Sequence, residues 1–217
     1  MSDLNERLLN EIVDAVKGLI RKETADRLRD VYVVGDIEKD MARGVIERLR
    51  ELSNDSRKPI TVYINSAGGN VTDGLAIHDV ITHLVSTGIE VTIVVQGMAY
   101  SMGSVVLQAA SPGRRFSYPH SWIMIHEPAK WAGWQSTSAA AQHLDRLKQM
   151  QAQIYQILAA RSGKPLQKII RDTKRTDFYL DANKALEYGL IDGIVEGTIN
   201  STTGGPPPSA PEPPQPR

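Results

Sequence analysis

The stretch GMAYSMGS, residues 97–104, sets one hydroxyl, Ser101, among small and flexible neighbours directly after the apolar run 91–95. Ala99-Tyr100-Ser101-Met102-Gly103 reads small-x-Ser-x-Gly, which departs from the nucleophile-elbow motif only at Ala99. If a buried strand gives way to a helix here, the side chain lies beside unpaired amide N–H groups at the positive helix end. That environment favours an alkoxide and an oxyanion. The plain alternative is a serine that caps a helix.

A serine hydroxyl is a weak nucleophile at neutral pH and needs a base. There are five histidines. His78, His83 and His143 fall inside helical patterns, where solvated or packed roles are expected, and His120 follows Pro119 in a turn. His126 differs, because it ends the apolar run WIMIH and is followed by Glu127 and Pro128, which stop a strand and hold the imidazole at its end. A structural histidine is the competing reading. The loop NSAGGN, residues 65–70, follows an earlier apolar strand as the Ser101 turn follows its own, so both can open at one sheet edge. Its two glycines allow close backbone approach to a substrate. A simple turn is the alternative, and a phosphate cradle lacks both the G-x-G-x-x-G order and a P-loop lysine.

The elements that must position these groups alternate along the chain. Strand patterns occupy residues 31–34, 60–64, 91–95, 115–118 and 122–126, with a last one in LIDGIV. Helical spacing runs through Met41, Val45, Leu49 and Leu52, through 72–87, 101–110 and 182–188, and through a long helix over 135–160 with Leu144, Leu147, Gln151, Ile154 and Leu158 on one face. Strands alternating with helices mean an α/β class with largely parallel pairing. The 217 residues carry 25 basic and 25 acidic side chains, so no overall field favours nucleic acid or an anionic membrane. The absence of cysteine excludes disulfides and thiolate chemistry. Residues 1–26 read as an N-terminal amphipathic helix with neither signal-peptide nor membrane-spanning character, which points to the cytoplasm. The proline-rich stretch 200–217 reads as an extended or disordered tail.

YINSAGGNVTDGLAIHDVI, GMAYSMGSVVLQAA, WIMIHEP and RDTKRTDFYLDANKALEYGLIDGIV, in that order, resemble the proteolytic subunit of the Clp protease over roughly residues 27–196. The resemblance implies a peptidase domain over 27–199 with the ClpP/crotonase-like spiral of β-β-α units and a protruding handle helix. It further implies heptameric rings that stack face to face around a chamber, unfolded polypeptides as substrates, a hexameric AAA+ Clp ATPase as partner, and no cofactor. By motif position it assigns Ser101 as nucleophile, His126 as base, and the amides of Gly69 and Met102 as the oxyanion hole. The acid falls on Asp177 by counting back from Ala182 and Ala185, with Asp172 and Asp181 as alternatives, because Thr176 is one residue more than the family's segment carries.

Ala67 stands where the family's turn has proline. Tyr100 replaces an alanine before the nucleophile, and Glu127 follows His126 where an amide is common, adding a carboxylate able to stabilise the imidazolium or compete for it. Lys174-Arg175 replaces the acid–arginine pair that links opposing rings, so that contact between rings is in question. Trp131 and Trp134 precede the handle as packing or interface residues. Two other classes stay open: a ring subunit without catalysis, and a crotonase-type acyl-CoA enzyme, which needs no serine and histidine at these places.

Overall fold

The computed structural model describes residues 11–18, 29–127 and 137–195, the side chains of 137–141 and 143 excepted. The expected proline-rich tail, most of the N-terminal segment, and Trp131 and Trp134 lie outside these residues. Residues 11–18 are helical (α1) and exposed. The order that follows is β1 (Asp30–Ile37), α2 (Lys39–Asp55), β2 (Ile60–Gly69), α3 (Val71–Ser86), β3 (Val91–Tyr100), α4 (Met102–Leu107), β4 (Arg115–Ser117), β5 (Trp122–Ile125), α5 (Thr137–Ser162), α6 (Leu166–Thr173), β6 (Phe178–Asp181), α7 (Ala182–Tyr188) and β7 (Gly193–Ile194).

The strands join one sheet in the order β1-β2-β3-β4-β7, and β5 pairs with both β3 and β6. All of these pairs are parallel except β5 with β6. Alternation along β1 puts Val31 and Val33 in the core and Tyr32 and Val34 in solvent. The buried set meets the apolar stripes of α2 (Ala42, Val45, Leu49, Leu52) and α3 (Ile77, Ile81, Leu84). Helix ends are tied down by side chains. Asn70 accepts from the amides of Thr72 and Asp73 at the start of α3, and Arg29, 6% exposed, donates to the carbonyl oxygens of Leu52, Ser56, Lys58 and Pro59 where α2 hands over to β2.

β3 serves two neighbours in succession. Residues Ile93 to Val95 pair with β4, and Met98 to Tyr100 pair with β5. Gly97, at φ +87°, makes the bend between them, and a Cβ there would lie 3.0 Å from Asn65 Oδ1. The alternation of elements and the dominance of parallel pairs match the sequence reading, but several boundaries move. Strand pairing extends the central strands well past the apolar runs: β3 continues from Val95 to Tyr100, and β2 runs through the expected Gly68-Gly69 turn, with Gly69 paired to Ile37. The helix expected over 101–110 contracts to Met102–Leu107, leaving Ser101 just before it. Helix α6 and strand β6 escaped the sequence reading, although Leu166, Ile169, Ile170 and Thr173 carry helical spacing after Pro165. Of α5, side chains become buried from Ile154 onward, and Leu144 is 51% exposed, so the earlier turns stand off the body as expected for a handle.

One polar network closes the β4–β7 side of the sheet. Arg115, 5% exposed, donates to both carboxylate oxygens of Asp192 at 2.6 and 3.0 Å, to Gln108 Oε1 at 2.6 Å and to the Gly189 carbonyl at 2.8 Å. Burial pushes the Asp192 carboxyl upward, but the bonds from Arg115 and the charges of Arg115 and Arg161 outweigh it and hold the pKa below the usual value. A depressed folded-state pKa contributes stability above the unfolded value, lost as pH falls through the folded one. Asp192→Asn should therefore cost about 2 kcal/mol at pH 7. In urea melts the gap between wild type and variant should narrow as the pH is lowered below the normal carboxylate range.

Candidate active site

Strand register brings the candidate residues together. Tyr100 on β3 pairs with Met124 on β5, and Met124 pairs with Tyr179 on β6, so one row of residues crosses three strands. Ser101 follows that row by one residue, His126 by two, and Asp177 precedes it by two. Because β5 and β6 are antiparallel with Ile125 opposite Phe178, the next residues outward, His126 and Asp177, face each other at the sheet end. The Ser101 amide donates to the Met124 carbonyl at 3.0 Å, which fixes the nucleophile candidate against the strand that ends in the histidine.

His126 Nε2 lies 2.8 Å from Ser101 Oγ, and Nδ1 lies 3.2 Å from Asp177 Oδ1. An ionised carboxylate only accepts, so Nδ1–H donates to Asp177 and the bare Nε2 accepts the Ser101 hydroxyl proton. The His126 side chain is 27% exposed and that of Asp177 53%. Ser101 itself sits at φ 49° and ψ −121°, a conformation L-residues rarely adopt, and its side chain makes no cap bond to α4. The plain reading as a helix cap is thereby removed: the serine turns away from the helix toward His126.

The glycine loop approaches from β2. Ser66, fully buried, donates to the Gly35 carbonyl at 2.6 Å and accepts from the Gly68 amide at 3.1 Å, so the loop is held from beneath. At Gly68, φ +103°, a Cβ would stand 2.5 Å from Ser101 Cβ, so only glycine lets the two turns meet. Gly69 and Met102 line one cavity of ≈ 80 Å³ with Ser101, Val71, Ile125, His126, Ile154 and Leu158. Met102 opens α4, where first-turn amides have no helical acceptor.

The alternative carboxylates are committed elsewhere. Asp172 accepts from Lys168 Nζ at 2.7 Å and Tyr188 Oη at 2.8 Å. Burial works to raise its pKa, but these bonds and the Lys168 and Arg171 charges hold it low. Asp181 caps α7 by accepting from the Lys184 amide at 2.9 Å, the main cause of its lowered pKa. Glu127 turns from the imidazole and accepts from Gln151 Nε2 at 2.9 Å. Among the remaining histidines His78 is packed, with burial lowering its pKa. His83 and His120 are exposed, and the His143 side chain lies outside the described residues.

With this geometry in hand, known proteins supply the family. A family model described as Clp protease matches residues 17–198. The chain belongs to the Clp protease family. It is 43% identical over 171 residues to the ATP-dependent Clp protease proteolytic subunit of Ligilactobacillus salivarius, covering 77% of this chain and 83% of that protein. Against the ATP-dependent Clp protease proteolytic subunit 1 of Gloeobacter violaceus the identity is 40% over 169 residues, with the same shares of each chain. Among solved structures, a point mutant of ClpP1 from Listeria monocytogenes superposes with a TM-score of 0.71 at 32% identity, covering 81% of this chain and 96% of that one. Family, fold and enzyme class implied by the motifs are those these relatives carry.

A contact that sequence reasoning missed is the edge-to-face pair of Tyr100 and Tyr179, ring centroids 5.4 Å apart with planes at 87°. The pair flanks Met124, itself 6% exposed, in the register row, and ties the residue before Ser101 to the strand that follows Asp177. Tyr100 was the one bulky departure in the motif, which was the available signal. Tyr100→Phe should leave thermal stability unchanged, whereas Tyr100→Ala should cost about 1 kcal/mol beyond the lost burial. Paired thermal melts of the two variants read the difference.

Proposed function

We propose that the chain is a serine endopeptidase that uses Ser101, His126 and Asp177 as its triad. The observation that carries this is the continuous hydrogen-bond chain from Ser101 Oγ through both ring nitrogens of His126 to Asp177, at 2.8 and 3.2 Å. His126 removes the hydroxyl proton as Ser101 Oγ attacks a peptide carbonyl, then gives that proton to the leaving amine, and water repeats the sequence to release the acyl group. Asp177 holds the imidazole in the tautomer that presents a bare Nε2 and stabilises the imidazolium. The amides of Gly69 and Met102 receive the developing oxyanion, a donor of this kind being worth about 3 kcal/mol in the transition state. The apolar cavity under Ser101 takes the side chain on the acyl side of the bond.

Membership in a family whose relatives are named ATP-dependent proteolytic subunits supports the finer reading. In it, seven-membered rings, singly or stacked, enclose the site, and a Clp-type AAA+ ATPase delivers unfolded polypeptides. No nucleotide-binding motif occurs here, so nucleotide hydrolysis belongs to the partner. Work on unfolded chains in the cytoplasm fits the balanced net charge of the chain.

A fluorophosphonate probe should label wild-type protein at Ser101, and the label should vanish in Ser101→Ala. Ser101→Ala and His126→Ala should each lower kcat for a fluorogenic peptide by roughly 10⁴-fold or more. Unlabelled Ser101, or peptide hydrolysis that survives Ser101→Ala, overturns the assignment.

A further inference from the structure

A second cavity, ≈ 350 Å³, opens next to the site between α5 and α6. Tyr155, Leu166 and Ile170 provide its apolar surface, and Glu127, Lys148, Gln151 and Lys174 its polar one. It shares α5 with the cavity under Ser101, which uses Ile154 and Leu158 of that helix. Gln151 is one turn before Ile154, and Lys148 one turn further, at about 1.5 Å of rise per residue. The two cavities therefore lie on adjoining faces of the helix, with His126 on the first and Glu127, its neighbour in sequence, on the second.

The charges in this groove are unequal. The Glu127 carboxylate already accepts from Gln151 Nε2, which also donates to Tyr155 Oη at 3.1 Å. Lys148 and Lys174 are exposed, and neither makes an ion pair with any described residue, whereas nearby Lys168 and Arg171 are both spent on Asp172. Two cations against one hydrogen-bonded carboxylate leave the groove net positive beside an apolar floor, a combination that suits a peptide segment with an acidic side chain.

Chemistry sets the direction in which a peptide must lie. The general acid delivers its proton to the leaving amine, so the leaving side of the substrate is on the His126 side of Ser101, toward Glu127. We infer that the groove between α5 and α6 receives the substrate residues on the leaving side of the scissile bond, and that Lys148 and Lys174 select carboxylates there. The inference rests on the protease reading above. It identifies Lys148 and Lys174 as specificity-determining residues, with the apolar floor giving area and the lysines giving preference.

The test uses full-length protein and quenched fluorescent peptides that differ only in one leaving-side residue two or three positions past the bond: Glu, Gln or Lys. Wild type should cleave them with kcat/KM in the order Glu, Gln, Lys, the first two differing by about fivefold, as expected for two partly exposed ion pairs. The difference should shrink in 0.5 M NaCl. In Lys148→Gln/Lys174→Gln the Glu-to-Gln ratio should fall to about one, and in Lys148→Glu/Lys174→Glu it should invert. Cleavage with no charge preference, or with a preference the lysine variants leave unchanged, overturns the groove assignment while the protease reading stands. Anisotropy of the same labelled peptides on Ser101→Ala separates the other failure: a lysine-dependent preference for the Glu peptide in binding, with no cleavage by wild type, upholds the groove and overturns the protease reading.

Discussion

The arrangement depends on the backbone pairing of three strand ends, β3, β5 and β6. One hydrogen bond, from the Ser101 amide to the Met124 carbonyl at 3.0 Å, locks the Ser101 turn to the strand that ends in His126. The antiparallel register of β5 and β6 then sets Asp177 opposite the imidazole. A slip of one residue in either pairing would turn the histidine to the other face of the sheet, because side chains alternate along a strand. The buried side chains around these ends, Ala99, Ile123, Ile125 and Leu180, all 2% exposed or less, oppose such a slip.

Local strain and local freedom meet at this point. Ser101 holds a positive φ that costs on the order of 1–3 kcal/mol, and it persists because the surroundings over-determine it. Gly68 crowds its Cβ from one side, the Met124 carbonyl takes its amide, and Ser104 returns both its amide and its hydroxyl to the Ser101 carbonyl. The glycines of β2 permit the contact and the bend of β3 at Gly97 makes room for β5. Without that bend β3 would continue along β4, and no strand would bring a histidine beside the turn.

Residues other than the three candidate site positions hold the frame. Asp172 and Tyr188 join the end of α6 to α7, so both flanks of the segment containing Asp177 are fastened, and Phe178 packs on the Tyr188 ring at 5.4 Å. Burial and the neighbouring Asp172 carboxylate both keep the Tyr188 phenol protonated. Between these fastenings Arg175 takes a left-handed conformation, φ 59°, two residues before Asp177, and the strand after Asp177 pairs antiparallel with β5.

Much of this was legible in the residues. Residue patterns marked six of the seven strands among the described residues, the α5 face was plain in its spacing, and the serine, histidine and glycine loop stood out because each sits where a strand pattern stops. Less legible were the strand extensions beyond Val95 and beyond Ile64, since most of those residues are small or polar and join the sheet because neighbours supply their hydrogen bonds. The short α6 and β6 were missed for the same reason: eight- and four-residue elements take their stability from packing rather than propensity. By itself, then, the sequence determined the order of elements, the glycines where positive φ is needed and the identity of the groups able to do chemistry, because these are properties of single residues and short windows. Only the tertiary structure decided which histidine and which of three carboxylates stand within reach of Ser101. Those contacts join residues 25 and 51 positions apart, and a separation of that kind is closed by strand register, which no local pattern specifies.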